Sequence, residues 1–541
     1  MTGNRSRSAA GTVLGAAAVI TVLTVLARTT GFARNLVFAK TVGFTCLADT
    51  YTTVNTVPNI LFEIVAGGAL ASLVVPLLAQ AVASGDRDHV ARTSSALLTW
   101  TIAVLVPVAV LVAAFAEPLS SALLGAKDCN GAVTVGAFML RVFAPQIVLY
   151  GIGLVLTGIL QAHGRFTGPA VAPMVSSAVV IVAYLLYDLA SPYANDIDSL
   201  TTAQELVLSV GTTLGVVALS MCLLVPLGRT GVRLRVTFAF PDGVAAKARS
   251  LAYAGVAVLT AQQLAVLVGL LLGNGAGVPN STVAVYWQAQ TLFLLPWAVL
   301  AVPVATTVFP RLTQAWGRAD FAGYRRDVAA STTVVLTLSL GATAALIAAA
   351  RPLAAMIALT APGRPSTGPL AAAVTAFAFG LPGYAAFALL SRALYASGET
   401  RRTAAACVAG WAAVILASFA LATTLPTEHR AVALATANSI GMTVLGVLLA
   451  VAVGRRAGVA ALAGTAAPAA AALAAAVVAA LAGRWLAGAF ANEGTAAAVA
   501  QSVIAAGAAV SVFALLMAVG ARRQLRAAST VLLTRAPGVR R

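Results

Sequence analysis

Charge is what this sequence has least of. Only 9% of its 541 residues are Asp, Glu, Lys or Arg and 60% are hydrophobic, whereas a soluble domain carries roughly 25% charged residues. No soluble core needs so much apolar sequence, so a water-soluble enzyme or binding module is excluded. Acidic residues are the scarcer sign, 16 against 34 basic, leaving a net +18. That excess is spread over short polar connections instead of forming one basic face, which argues against a nucleic-acid partner. Cysteine and histidine are scarce too. Cys46, Cys129, Cys222 and Cys407 form no CxxC, and His89, His163 and His429 are scattered among expected loops. Neither a metal site nor a redox cofactor is supported. An enzyme acting on a membrane lipid would need convergent acid–base or metal-binding carboxylates. Asp86-Arg-Asp88 reads instead as a solvated turn.

Long apolar runs are abundant. They recur from Gly11 to Gly520 and call for an all-α polytopic membrane protein of about fourteen transmembrane helices. The runs lie near 11–39, 50–83, 93–116, 131–160, 168–187, 206–227, 248–273, 281–310, 328–350, 368–395, 403–424, 431–453, 458–483 and 495–520. Arg5 and Arg7 precede the first, which lacks a small-residue cleavage site and so reads as a span, not a signal peptide. The even-numbered connections and both termini hold most of the basic residues, among them Arg87, Arg92, Arg229, Arg233, Arg235, Arg325, Arg326, Arg401, Arg402, Arg455 and Arg456. The odd-numbered connections hold few, beside Asp188, Asp196, Asp198 and Glu205. Positive charge stays inside, so both termini are expected in the cytoplasm of a bacterial inner-membrane protein. Only three of the 34 basic residues are Lys and Ala is very abundant, a composition of GC-rich bacterial genomes such as those of actinobacteria.

The chain also contains a repeat. Pro76-Leu-Leu-Ala-Gln-Ala returns as Pro310-Arg-Leu-Thr-Gln-Ala, and the stretch ending at Gly164 returns in the stretch ending at Gly398, both at an offset of 234 residues. Six spans separate equivalent points, so the copies share one membrane orientation, a parallel repeat of two pseudo-symmetric lobes. The expected organisation is a first lobe over 1–230, a second over 231–455, two added helices over 456–520 and a basic tail over 521–541, whose arginines would meet anionic headgroups. Paired lobes are the usual frame of alternating access around a midplane cavity within one chain, so a monomer is expected.

Charges inside the spans mark the substrate site. An arginine at a bilayer centre costs at least about 2.5 kcal/mol and therefore seeks a partner or a wet cavity. Arg28 and Arg34 share one span and are assigned to such a cavity, while Arg141 and Arg392 fit a cavity or partner no better than they fit snorkelling or local packing. By the offset, position 28 corresponds to Gln262 and 34 to Val268, so the first copy is cationic where the second is neutral. Guanidinium groups favour a phosphate or carboxylate. Glu63 is the plainly intramembrane carboxylate, too few for a cation-coupled drug exporter.

Arg28-Thr-Thr-Gly-Phe-Ala-Arg34, Asp49, Val57-Pro-Asn59 and Gly68-Ala-Leu-Ala-Ser-Leu-Val-Val-Pro76, with Gly158-Ile-Leu-Gln-Ala-His-Gly-Arg-Phe166 and Tyr395-Ala-Ser-Gly-Glu-Thr400, resemble in order and spacing the MurJ/MviN family of lipid II flippases. The resemblance implies export of an undecaprenyl-pyrophosphate-linked peptidoglycan precursor, driven by membrane potential or a monovalent-ion gradient. It implies substrate contacts from Arg28, Arg34, Asp49 and Asn59, and association with the cell-wall synthesis machinery. The chain departs from the family pattern at Asn35, where Asp is usual, at Phe62-Glu63, where a basic pair followed by Phe-Ala-Glu-Gly is usual, and near Gln290 and Thr291, where an arginine is expected. Asn35, Glu63, Gln262 and Gln290 are therefore further cavity or coupling candidates, and another polyprenyl-linked or anionic lipid is the alternative cargo. Cys46 and Cys129 fall in outer loops of one lobe. Unpaired thiols are the expected state there, with a disulfide as the alternative.

Overall fold

The computed structural model describes residues 22–23, 25–190, 197–240, 244–362, 365–489 and 494–520. Arg5, Arg7, the start of the first expected span, Asp196 and the basic tail lie outside them. Helix α1 is described over 25–41, and α2 (Cys46–Phe62) and α3 (Gly68–Ser84) follow, joined by a π-helical turn at Glu63–Gly67. Next come α4 (Arg87–Ala114), α5 (Ala116–Leu124), α6 (Ala132–Phe143), α7 (Gln146–Ala162), α8 (Thr167–Ala190), α9 (Thr202–Met221), α10 (Leu224–Gly228) and α11 (Val244–Gly273). A second π-turn at Trp297–Ala301 joins α12 (Thr282–Pro296) to α13 (Val302–Gly317), and after it run α14 (Phe321–Thr360), α15 (Thr367–Ala378), α16 (Leu381–Ala396), α17 (Thr400–Thr424), α18 (Arg430–Ala457), α19 (Ala466–Ala489) and α20 (Thr495–Gly520).

Twelve helical stretches among the described residues are long and apolar enough to cross a bilayer. Helix α1 and the unbroken run from Cys46 to Ser84 supply the remaining two of the expected fourteen. The chain is an all-α polytopic membrane protein. Several expected spans prove to be two helices in line, α6–α7 and α15–α16 among them, with short breaks at Pro145 and at Gly380.

The fold divides into two compact units, Met1–Val283 and Ala284–Arg541. The division follows α11, which opens the second copy of the repeat by sequence yet packs on α3 within the first unit. Leu47, Leu78, Leu105, Leu140, Ile147 and Leu156 form the buried interior of the first unit, and Tyr324, Phe377, Leu389 and Leu394 that of the second. In the second, α19 and α20 pack on α14 through small side chains such as Ala344, Ala472, Ala476 and Ala479. This is the means by which membrane helices approach closely without a hydrophobic driving force.

The backbone itself carries the 234-residue repeat. Both π-turns fall on it, Glu63–Gly67 and Trp297–Ala301. So do the left-handed residues Gly43 and Gly277, Gly164 and Gly398, and Gly85 and Ala319. Next to the last pair, Asp86 caps α4 by accepting from the His89 amide and Asp320 caps α14 by accepting from the Gly323 amide. A duplicated turn thus holds a left-handed residue and an Asx cap in both copies, with glycine in the first and alanine in the second. Ala319, at φ 56°, carries a Cβ where L-residues are strained by about 1–2 kcal/mol. Its replacement by Gly is expected to raise thermal stability by up to about 1 kcal/mol after the entropic cost of glycine, while Gly85→Ala lowers it by about as much. Thermal unfolding of the two purified variants in one detergent reads the opposite signs.

Candidate substrate site

Arg28 and Arg34 lie on α1, about 120° apart around the helix and ~9 Å apart along it. Arg28 is exposed and Arg34 half-buried, so the two do not share one environment. The Arg34 guanidinium acts electrostatically on three phenols from three other helices, Tyr51 on α2, Tyr150 on α7 and Tyr184 on α8. Phe38, one turn further along α1, stacks on Tyr51 at 5.3 Å and lies 5.3 Å from Tyr184.

The phenols are ordered by a chain of hydrogen bonds whose direction follows from its last member. Thr212 gives its only hydroxyl proton to the Leu208 carbonyl at 2.7 Å, so it accepts from Tyr51 at 2.7 Å. Tyr51 then accepts from Tyr184 at 2.9 Å. Tyr51 and Tyr184 are 3% and 5% exposed, and this satisfied network fixes the phenols near Arg34. Residue spacing on single helices could not reveal it, since its members lie 133 and 161 residues apart.

The other expected site residues fall in varied settings. Asn35 is half-buried beside Arg34, and Asn59 is exposed on α2. Glu63 is half-buried at the start of the first π-turn, its carboxylate folded so closely onto Gly67 that a Cβ there would collide with it. Gln262 is half-buried on α11 in the same unit, and Gln290 is half-buried on α12 in the second unit. Arg141 is exposed, in keeping with snorkelling, and half-buried Arg392 donates Nη1 to the Ala388 carbonyl of its own helix at 2.6 Å.

Asp49 is held differently from what the resemblance implies. It is completely buried in the first turn of α2 and accepts from the Lys127 Nζ at 2.8 Å, with both side chains inaccessible. Lys127 follows α5, in a connection read from sequence as a solvated outer loop, and this burial is the signal that was missed. The cysteine expectation is corrected as well: Cys46 and Cys129 are bonded, their Cα atoms 6.5 Å apart, inside the roughly 7 Å that a disulfide spans. The loop folds over the start of α2, bringing residues 83 apart in sequence together. From that loop, Asp128 accepts the Gly277 amide at 3.3 Å and the Asn280 side-chain amide at 3.0 Å, while Asn274 donates to Thr53 at 2.9 Å. One end of α11 is thereby tied to α2 and to the α5–α6 loop.

Among the described residues, no three His, Cys, Asp or Glu side chains gather as metal ligands would. The groups around Arg34 are phenols in a half-buried setting, and a guanidinium is the side chain best shaped to pair with a phosphate or carboxylate.

A family profile described as "Lipid II flippase MurJ" matches residues 38–504, most of the chain. The chain belongs to this family. Its members are transporters, so the protein is a membrane transporter and not an enzyme. Relatives named "Probable lipid II flippase MurJ" include one from Vibrio cholerae, 23% identical over 399 residues, covering 71% of this chain and 72% of the relative. Another, from Rickettsia prowazekii, is 23% identical over 391 residues, covering 71% and 73%. A solved lipid II flippase MurJ in an inward closed conformation is similar in fold, with TM-score 0.73 and 16% identity over 94% of this chain and all of that one. An inward-facing multidrug-resistance transporter of the MATE family is similar at TM-score 0.66, with 14% identity over 80% of this chain. MurJ membership accounts for the α1–α3 motif, and the likeness to the multidrug transporter shows the fold alone.

The Asp49–Lys127 pair makes a sharp expectation. Lys127→Met strands a buried carboxylate and should cost about 3–5 kcal/mol, whereas Asp49→Asn combined with Lys127→Met removes both charges and should recover most of it. Denaturant midpoints of the purified single and double variants in one detergent decide this, and equal losses in all of them would show that the pair is not coupled.

Proposed function

We propose that this MurJ-family protein moves lipid II, the undecaprenyl-pyrophosphate-linked peptidoglycan precursor, from the cytoplasmic to the outer leaflet by alternating access. The observation that carries the reading is Arg34, half-buried and near enough to Tyr51, Tyr150 and Tyr184 to act on all three electrostatically. A pyrophosphate must be drawn out of headgroup water into a less polar space, and a half-buried guanidinium held among ordered phenols offsets that loss. Arg28, exposed and nearer the start of α1, serves as an earlier contact, and Asn59 as a neutral one. Asp49 acts indirectly, by keeping the α5–α6 loop on α2. Membrane potential or a monovalent cation drives the cycle, with Glu63 as the group that answers to it. The working unit is a monomer in the inner membrane, supplied by and feeding the cell-wall synthesis machinery.

A second cargo, another anionic polyprenyl lipid, is favoured by the departures at Asn35 and Phe62-Glu63. Depletion of the protein in its own host, with lipid II exposure on the outer leaflet as readout, separates the two. Loss of exposure supports lipid II, and unchanged exposure assigns the other cargo. In the same assay Arg34→Ala should reduce exposure about tenfold, with Arg34→Lys intermediate because an ammonium keeps the charge and loses the bidentate fork. Both variants should insert at wild-type levels, and wild-type exposure in Arg34→Ala would remove Arg34 from the site.

Orientation has its own test. With both termini in the cytoplasm, cysteines introduced at Ser84 and Thr230 should react with an impermeant maleimide only after the membrane is opened, and one at Ser199 should react in intact cells. Labelling of Thr230→Cys from outside would reverse the topology.

A further inference from the structure

The second unit contains a large groove remote in sequence from every residue assigned to transport. Its volume is about 1100 Å³, and it is lined by the last part of α14, the whole length of α15, the first half of α18, the end of α19 and Gln501 near the start of α20. Every lining segment lies toward the same end of these antiparallel spans, so the groove occupies one leaflet. Its wall contains hydroxyls, and apart from the exposed Thr367 at the start of α15 they are spent on the backbone. Thr375 donates to Ala371, Thr436 to Val432, Thr443 to Ser439, and Ser439 to Ala376, at 2.7 to 2.8 Å. What the trough presents is therefore apolar, with exposed Phe379 and Ile440 among its lining.

Its charged lining is of one sign. Arg351 and Arg484 both line the groove and both are exposed, and among the described residues no Asp or Glu lines it. Among the described residues neither guanidinium has an ion pair or a hydrogen bond of its own. Arg484 lies five residues before the end of α19, about 7.5 Å along the axis, and Arg351 nine residues before the end of α14, about 13 Å. These are depths at which a long cationic side chain reaches the headgroup layer. A largely apolar trough with exposed Phe379 and Ile440 in its wall and two unpaired guanidiniums toward one end has the polarity profile of one lipid molecule.

We propose that the groove is a binding site for an anionic glycerophospholipid, with the phosphate on Arg351 and Arg484 and the acyl chains along α15 and α18. This proposal does not rest on the transport reading of the first unit. A bound lipid there would fill the space between α14, α18 and α19 and so brace the two added C-terminal helices against the repeat.

Native mass spectrometry of the full chain tests it, with detergent-purified protein offered equal amounts of phosphatidylglycerol and phosphatidylcholine of the same chain length. The expected result is one retained phosphatidylglycerol per chain in preference to phosphatidylcholine. Arg351→Gln with Arg484→Gln should cut that retention about tenfold. Ala372→Trp, which fills the trough at an exposed lining position without touching either arginine, should lower retention of both lipids. Equal retention of the two lipids, phosphatidylglycerol binding untouched by loss of the arginines, or a second copy of the chain displacing lipid as a dimer in the same spectra would each overturn the proposal.

Discussion

Inside a bilayer no water is present to satisfy an exposed amide or carbonyl, so each backbone polar group must find its partner within the protein. That constraint shapes this chain more than any side-chain contact. Where a soluble protein would break a helix, the chain inserts a π-turn at Glu63–Gly67 and another at Trp297–Ala301, widening the helix without opening it to hydrocarbon. The prolines at 58, 76, 107, 173, 296 and 310 sit within helices for the same reason. Most Ser and Thr hydroxyls return to a carbonyl four residues back, as at Thr101, Thr333 and Ser391. A polar residue free of such a bond then stands out, which is why Arg34, Glu63 and the arginines of the second-unit groove attract a functional reading.

The same constraint governs the buried charges. Asp49 and Lys127 are both fully inaccessible, and a buried pair is sustained by mutual attraction that a lone member lacks. Their contact, the Cys46–Cys129 bond and the Asp128 hydrogen bonds all converge on one end of the first unit. There α11 is recruited away from the copy of the repeat to which its sequence belongs. A single α5–α6 loop thus joins the start of α2 to the segment that follows α11, and any rearrangement at this end must carry the three elements together.

Spans were legible in the sequence because hydrocarbon imposes one rule on every helix, and apolar length alone reports it. The repeat was legible because short segments such as Pro76-Leu-Leu-Ala-Gln-Ala and Pro310-Arg-Leu-Thr-Gln-Ala, and the stretches ending at Gly164 and Gly398, keep alike residues at a fixed offset. Arg28 and Arg34 stood out as charges within an apolar run. What could not be read were pairings between distant segments. Lys127 looks like any loop lysine until the loop is seen folded over α2, and Cys129 looks unpaired for the same reason. Tyr51, Tyr184 and Thr212 are ordinary span residues whose importance arises only when three helices meet. The unit boundary after Val283 likewise depends on Asn274, Gly277 and Asn280 finding partners far earlier in the chain.

Comparison of equivalent positions shows how duplication has been put to unequal use. The first π-turn begins with Glu63, while the second begins with Trp297, whose ring stacks on Tyr384 at 4.7 Å and whose Nε1 donates to the Tyr384 carbonyl at 3.1 Å. One copy holds an ionisable group at its helix irregularity and the other holds an aromatic fastener. By the same offset Arg34 corresponds to Val268, Asp49 to Val283 and Lys127 to Ala361, so these three charges belong to the first copy, while the second largely buries a different pair, Arg311 with Asp327. Duplication has thus kept the backbone turns at a fixed offset in both copies, while the ionisable side chains at equivalent positions have diverged.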